Sequence, residues 1–176
     1  MGTGLLVVDV QNAVIEDLPD RDQFVARISS LVSAARDSGR PVVWVRHADE
    51  DMPVGSEGWE IADELEPRLS EAIVDKSHRS AFAETDLEDV LRRQAVDHIV
   101  LTGAQSAFCV DMAGKHALAA GFDVTLVSDG HANGDLETTD GLLTDSTVTA
   151  LINRTWSTLR HPGREVAVLP SSDLVW

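Results

Sequence analysis

Cysteine is nearly absent from this sequence: among 176 residues only Cys109 carries a thiol. No internal disulfide can form, so the fold does not depend on an oxidising compartment. Long apolar runs are missing as well, and none approaches the roughly 20 residues that span a bilayer. There are no repeats, low-complexity tracts or Ser/Pro linkers, so a single domain over residues 1–176 is expected. Met1-Gly2-Thr3-Gly4 runs straight into an apolar stretch, leaving no room for a charged leader and a cleavage site. Together these absences predict a cytoplasmic protein. Positive charge is scarce too: 14 Lys and Arg face 30 Asp and Glu, a net charge of −16. That balance disfavours a nucleic-acid backbone or an anionic membrane as partner, and solubility is the plain account of the acidity. Lysine is scarcest, with only Lys76 and Lys115 against twelve arginines. Each is worth inspecting, because an ammonium does point-charge chemistry that a planar guanidinium does not.

What is present is an alternation of apolar runs and helical stripes. Leu5-Leu6-Val7-Val8 reads as a buried parallel strand, and Gln23 to Ser38 as an amphipathic helix stopped by Gly39. Pro41 to Val45 is the second strand and Ala72-Ile73-Val74 the third. Thr85-Asp86-Leu87-Glu88 has the pattern of a capping box opening a helix to about Gln94. Ile99-Val100-Leu101 is a fourth strand, Val110 to Ala120 a helix stopped by Gly121, and Val124 to Val127 a fifth strand. Thr144 to Leu159 is a last helix and Val166 to Leu169 a sixth strand. This order predicts an α/β fold of three layers, α/β/α, around a mainly parallel six-stranded sheet.

In such sheets sites gather at the carboxyl ends of the strands. Three residues fall there: Asp9 after the first strand, Lys76 after the third and Cys109 beyond the fourth. A thiol at a helix N-terminus feels the positive end of the helix dipole, which favours thiolate, and the same N–H groups could hold an oxyanion. Read alone, Cys109 is equally a small buried hydrophobe, Asp9 a turn or N-cap residue, and Lys76 a surface lysine at a strand end. Read together, they are a nucleophile, a proton acceptor and a charge stabiliser.

The chain also resembles the isochorismatase-like cysteine hydrolases, amidases such as nicotinamidase and N-carbamoylsarcosine amidase among them. The resemblance runs from Leu5 to about Leu169. It rests on Leu6-Val7-Val8-Asp9-Val10-Gln11, on Gly55 to Ile61, on Asp75-Lys76-Ser77-His78-Arg79-Ser80-Ala81-Phe82, and on Thr102 to Val110, followed by Ala117, Gly121 and Val127-Ser128-Asp129. It implies a Rossmann-like isochorismatase fold and Asp9, Lys76 and Cys109 as a catalytic triad. It further implies an oxyanion hole from the N–H groups of Gln105 and Cys109, a cis peptide between Ala104 and Gln105, and a homo-oligomer. Ser106 departs from the usual Thr, and Ala113-Gly114 from the usual Thr-Ala.

The activity so implied is cleavage of a C–N bond in a small amide, carbamoyl or ureido substrate through a thioester. The alternatives are vinyl-ether hydrolysis of the isochorismate type, whose performers typically lack the cysteine, and a catalytically silent binding or assembly protein. Gln11, His47, Trp59, Phe82 and Phe108 are candidates to line the substrate pocket, the aromatics being equally suited to packing. Neither metal nor cofactor is expected. Nicotinamidases carry Asp-x-His and a further His after the second strand, whereas Arg46-His47-Ala48-Asp49-Glu50-Asp51 offers one His and no other before His78. His98, His116, His131 and His161 are scattered, and Asn133-Gly134 reads as a turn without chemistry. There is no Gly-x-Ser-x-Gly elbow and no Gly-x-Gly-x-x-Gly fingerprint. Leu174, Val175 and Trp176 are apolar residues free to serve an interface.

Overall fold

The computed structural model describes residues 2–176. Six parallel strands form one sheet in the order β3-β2-β1-β4-β5-β8. These are β1 (Thr3–Val8), β2 (Val42–His47), β3 (Ala72–Lys76), β4 (His98–Ala104), β5 (Asp123–Ala132) and β8 (Val166–Leu169). The expected three-layer α/β/α architecture is present. Alternation along the central strands builds its two cores. Leu5 and Val7 face one side with Val42, Trp44 and the apolar stripe of α2 (Arg21–Asp37). Leu6 and Val8 face the other with Val43, Val45, Leu101 and the buried sides of α3 (Leu87–Arg93), α4 (Asp111–Ala119) and α5 (Asp145–Thr158). Two-sided burial explains why these strands read as continuous apolar runs.

The chain leaves β1 in one direction to make β2 and β3, then returns to make β4, β5 and β8 on the other side. β1 and β4 therefore flank the point where the winding reverses, where the carboxyl ends of two neighbouring strands diverge and leave a crevice. Gly103 fits this close approach. Its φ is +131°, and a Cβ there would lie 2.1 Å from the Val8 carbonyl oxygen.

Several elements differ from the sequence expectation, each for a local reason. The third helix starts at Leu87 without a capping box: Asp86 is its N-cap, and the Thr85 hydroxyl donates to the Ala81 carbonyl at 2.6 Å. Glu88 instead pairs with Arg92 at 3.7 Å along the helix. A short helix, α1 (Asn12–Ile15), and a hairpin, β6 (Leu136–Thr138) with β7 (Gly141–Leu143), were not foreseen. Each is too short to carry a readable period. β5 runs five residues past Val127, because a register shift opposite Leu101–Gly103 lets His131 and Ala132 pair again with Gly103 and Ala104. Gly114 admits the Trp156 indole of α5, since a Cβ would meet it at 2.4 Å. Leu174 and Trp176 pack against the chain's own core, so only Val175 of that trio is freely exposed.

Candidate active site

Three strand ends deliver one cluster to the crevice. Asp9 follows β1 with φ +50°, a left-handed turn that Asp tolerates better than most residues, and this takes the chain out of the strand at once. Lys76 closes β3, and its ammonium is fully buried. Its Nζ sits 2.7 Å from Asp9 Oδ2, 3.4 Å from Cys109 Sγ and 3.2 Å from His47 Nδ1. The second Asp9 oxygen, Oδ1, is buried with no hydrogen-bond partner, while the thiol is close enough to couple to the carboxyl. A carboxylate buried this deeply is tolerable only beside a cation.

Cys109 lies in a π-helical turn, Ser106–Val110, between the cis peptide Ala104–Gln105 and α4. Here the Gln105 carbonyl accepts from Phe108 N–H at 3.1 Å and from Val110 N–H at 3.3 Å. An α-helical turn would have given that carbonyl the Cys109 N–H. The wider turn skips it, so that carbonyl does not take the Cys109 N–H, and among the described residues the Gln105 N–H donates to no backbone carbonyl. Backbone N–H groups beside a thiol can hold a negatively charged oxygen.

Electrostatics correct one expectation. Burial pushes the Cys109 thiol up to about 12, and the neighbouring Asp9 charge adds to the rise. Both outweigh the opposing Lys76 charge, which favours a protonated resting thiol. Burial likewise raises the Asp9 carboxyl above the ordinary carboxylate range, against the opposing pull of Lys76. A more basic carboxylate beside a neutral thiol suits proton transfer during reaction better than storage of a thiolate.

A cavity of about 370 Å³ opens onto this cluster, lined by Asp9, Cys109, Gln105, Phe108, His47 and Arg79, with Ala13, Val14, Asp49 and Met52. His47 and Phe108 thus line the pocket. Gln11, Trp59 and Phe82 do not. The Gln11 amide is buried, donating to the carbonyls of His47 (2.9 Å) and Trp59 (2.7 Å) and accepting from His47 N–H at 2.7 Å. It fixes the wall behind the cavity. Trp59 is buried under the Arg46 guanidinium, 3.6 Å from its ring centre. Phe82 belongs to the core, stacked on His116 at 5.1 Å. Sequence could not separate these because a loop has no period from which to read a facing.

His47 has both ring nitrogens committed. A protonated Lys76 can only donate, so Nδ1 accepts and Nε2–H donates to Asp49 Oδ2 at 3.1 Å. Hydrogen bonds from Met52 N–H and His47, with that from Asp51 N–H, hold the Asp49 carboxyl below its ordinary value. Among the described residues no group of three or more His, Cys, Asp or Glu side chains is gathered as a metal site would need.

Two residues passed over in the sequence clasp the turn that carries Cys109. Asn133 Oδ1 accepts from Ala107 N–H at 3.0 Å. His131 Nδ1 lies 2.7 Å from the buried Ser106 hydroxyl, and its Nε2 lies 3.0 Å from Asn153 Oδ1. The Asn153 amide nitrogen donates to the Ser128 carbonyl, so Nε2 carries the proton and Ser106 donates to Nδ1. The departure from Thr at Ser106 keeps the hydroxyl this contact uses.

Comparison with known proteins identifies the fold and the family. Residues 3–152 match the isochorismatase domain model. The chain is 33% identical over 179 residues to streptothricin hydrolase of Streptomyces noursei, covering 97% of this chain and 69% of that protein. An isochorismatase from Pseudomonas putida KT2440 superposes with a TM-score of 0.88 at 26% identity, covering 98% of this chain and 90% of that one. A cysteine hydrolase from Pseudomonas syringae pv. phaseolicola 1448A shares the fold, with a TM-score of 0.86 at 23% identity over 97% and 89% of the two chains. The chain is a member of the isochorismatase family of hydrolases.

Proposed function

We propose that this hydrolase cleaves a C–N bond of a small amide, carbamoyl or ureido substrate, with Cys109 as nucleophile and Asp9 as base and acid. The observation that carries this reading is the meeting of a buried thiol, a carboxylate with one unpartnered oxygen, and a lysine ammonium 2.7 Å from the carboxylate and 3.4 Å from the sulfur. Asp9 takes the thiol proton as Sγ attacks the carbonyl carbon. Lys76 stabilises the negative charge shared between carboxylate and sulfur. The former carbonyl oxygen takes the electron pair and sits against the N–H groups of Gln105 and Cys109. When the C–N bond breaks, Asp9 returns its proton to the departing nitrogen, leaving a thioester on Cys109. Water then attacks the thioester, Asp9 takes the water proton, and Sγ leaves and is reprotonated. The products are an acid and an amine or ammonia. Vinyl-ether hydrolysis has no use for a thiol in this position.

The test is an ammonia- and amine-release screen over small amides, ureides and streptothricin, the last because of the relative that bears its name. Release by the wild type, abolished in Cys109→Ala, is expected. Undiminished release by Cys109→Ala would overturn the covalent reading. Silence on the whole panel would favour a binding protein.

A further inference from the structure

Resting on the cysteine-hydrolase reading, we infer that Arg79 is the specificity-determining residue of the cavity and that it selects substrates carrying a carboxylate close to the scissile C–N bond. Most of the charges lining the cavity are already matched. Asp9 is matched by Lys76 at 2.7 Å. Asp49 accepts from His47 and from the N–H groups of Asp51 (3.1 Å) and Met52 (2.9 Å). Arg79 lines the same cavity, and among the described residues no carboxylate or hydrogen-bond acceptor engages its guanidinium. Arg46, another arginine of this region, is tied to Asp75 at 2.8 Å and Glu60 at 3.5 Å. In a chain where acids outnumber bases 30 to 14, the one uncommitted charge lining the substrate cavity is positive.

Its placement suits a ligand. The guanidinium carbon lies 4.5 Å from the centre of the Phe108 ring, and Phe108 immediately precedes the nucleophile. Stacking on a ring uses the face of the guanidinium and leaves its N–H edges free, and those edges match the two oxygens of a carboxylate. A carbonyl between Sγ and the N–H groups of Gln105 and Cys109 then has a cationic anchor over the ring of the residue that precedes the nucleophile. A cavity of about 370 Å³ is at the small end for ligand pockets. The substrate class that spans both points is a small N-carbamoyl amino acid or a monoamide of a short dicarboxylic acid.

The test has two arms. Cys109 is the only thiol, so its alkylation can be read without background. The rate with iodoacetate divided by the rate with iodoacetamide, each relative to the same chain unfolded in urea, cancels the ionisation of the thiol. This ratio is expected to exceed one in the wild type, to fall about tenfold or more in Arg79→Gln and to be partly restored in Arg79→Lys. A ratio within twofold of wild type in Arg79→Gln would overturn the proposal. In the second arm, kcat/KM for N-carbamoylglycine over N-carbamoylglycinamide should show the same preference and the same loss, and an unchanged preference in Arg79→Gln would also overturn it. If neither ureide is hydrolysed, the amidase reading is what fails, and the alkylation ratio still decides the role of Arg79.

Discussion

At the scale of residues, the proposed chemistry starts from a thiol that burial and Asp9 push toward its protonated form. Asp9 raises the thiol and, in the proposed mechanism, also accepts its proton. These two effects separate on substitution. Asp9→Asn should abolish turnover yet speed iodoacetamide alkylation of Cys109 at fixed pH, because removing the charge lowers the thiol pKa. Lys76→Ala should slow alkylation, because it removes the cation that favours thiolate. Stopped alkylation assays across pH check both directions, and slower alkylation in Asp9→Asn would contradict the assignment. His47 gives a second expectation. With Nδ1 facing Lys76 and Nε2 facing Asp49, it has no free nitrogen for an ion. Activity should therefore survive exhaustive EDTA treatment, and loss restored by zinc or iron would show otherwise. That Asp9, Lys76 and Cys109 meet was legible in the sequence, because all three fall at or just beyond strand ends on the carboxyl edge of the sheet. Gln11, Trp59 and Phe82 were misplaced because composition does not say which way a loop side chain turns.

At the scale of elements, the turn that carries Cys109 is held from outside itself. Asn133 and His131 reach it only because β5 runs on past its register shift. The sequence showed the apolar run to Val127 and then polar residues, which resemble a loop. Nothing in that pattern distinguishes a loop from an irregular strand re-entering the sheet. Burial lowers the His131 pKa from its ordinary 6.5, while Asn153 and the charges of Asp145 and Asp129 oppose the fall. A histidine kept neutral in the fold contributes stability that is full above pH 6.5 and lost as pH falls toward its depressed value, because the unfolded chain takes the proton first. Urea unfolding from pH 8 to 5 should thus give a slope in wild type that flattens in His131→Gln. Asn133→Ala leaves the Ala107 N–H without its acceptor, at a cost of about 1–3 kcal/mol. It should lower kcat more than it raises KM, since it loosens the nucleophile and not the cavity wall. Asn133→Asp keeps the accepting oxygen and should recover part of the loss.

At the scale of the whole molecule, the winding reversal between β1 and β4 opens the crevice where Asp9, Lys76 and Cys109 meet; the alternation of strands and helices pointed to the carboxyl edge of the sheet but not to the strand order that sets the reversal. Surface function was less legible. The C-terminal Leu174 and Trp176 are used internally, whereas Leu142 and Leu143 on the hairpin and Leu151 on α5 are exposed, at 58%, 40% and 60% of their surface. A homo-oligomer is the expected state, and light scattering that gave only a 19.0 kDa particle at micromolar concentration would contradict it. The central claim is a common acyl-enzyme on Cys109, and partition to an added nucleophile tests it most directly. Substrates with one acyl group and different leaving amines are turned over in the presence of hydroxylamine, and hydroxamate is measured against acid. A shared thioester requires one ratio for all leaving groups. A ratio that changes with the leaving group would mean that no common intermediate exists.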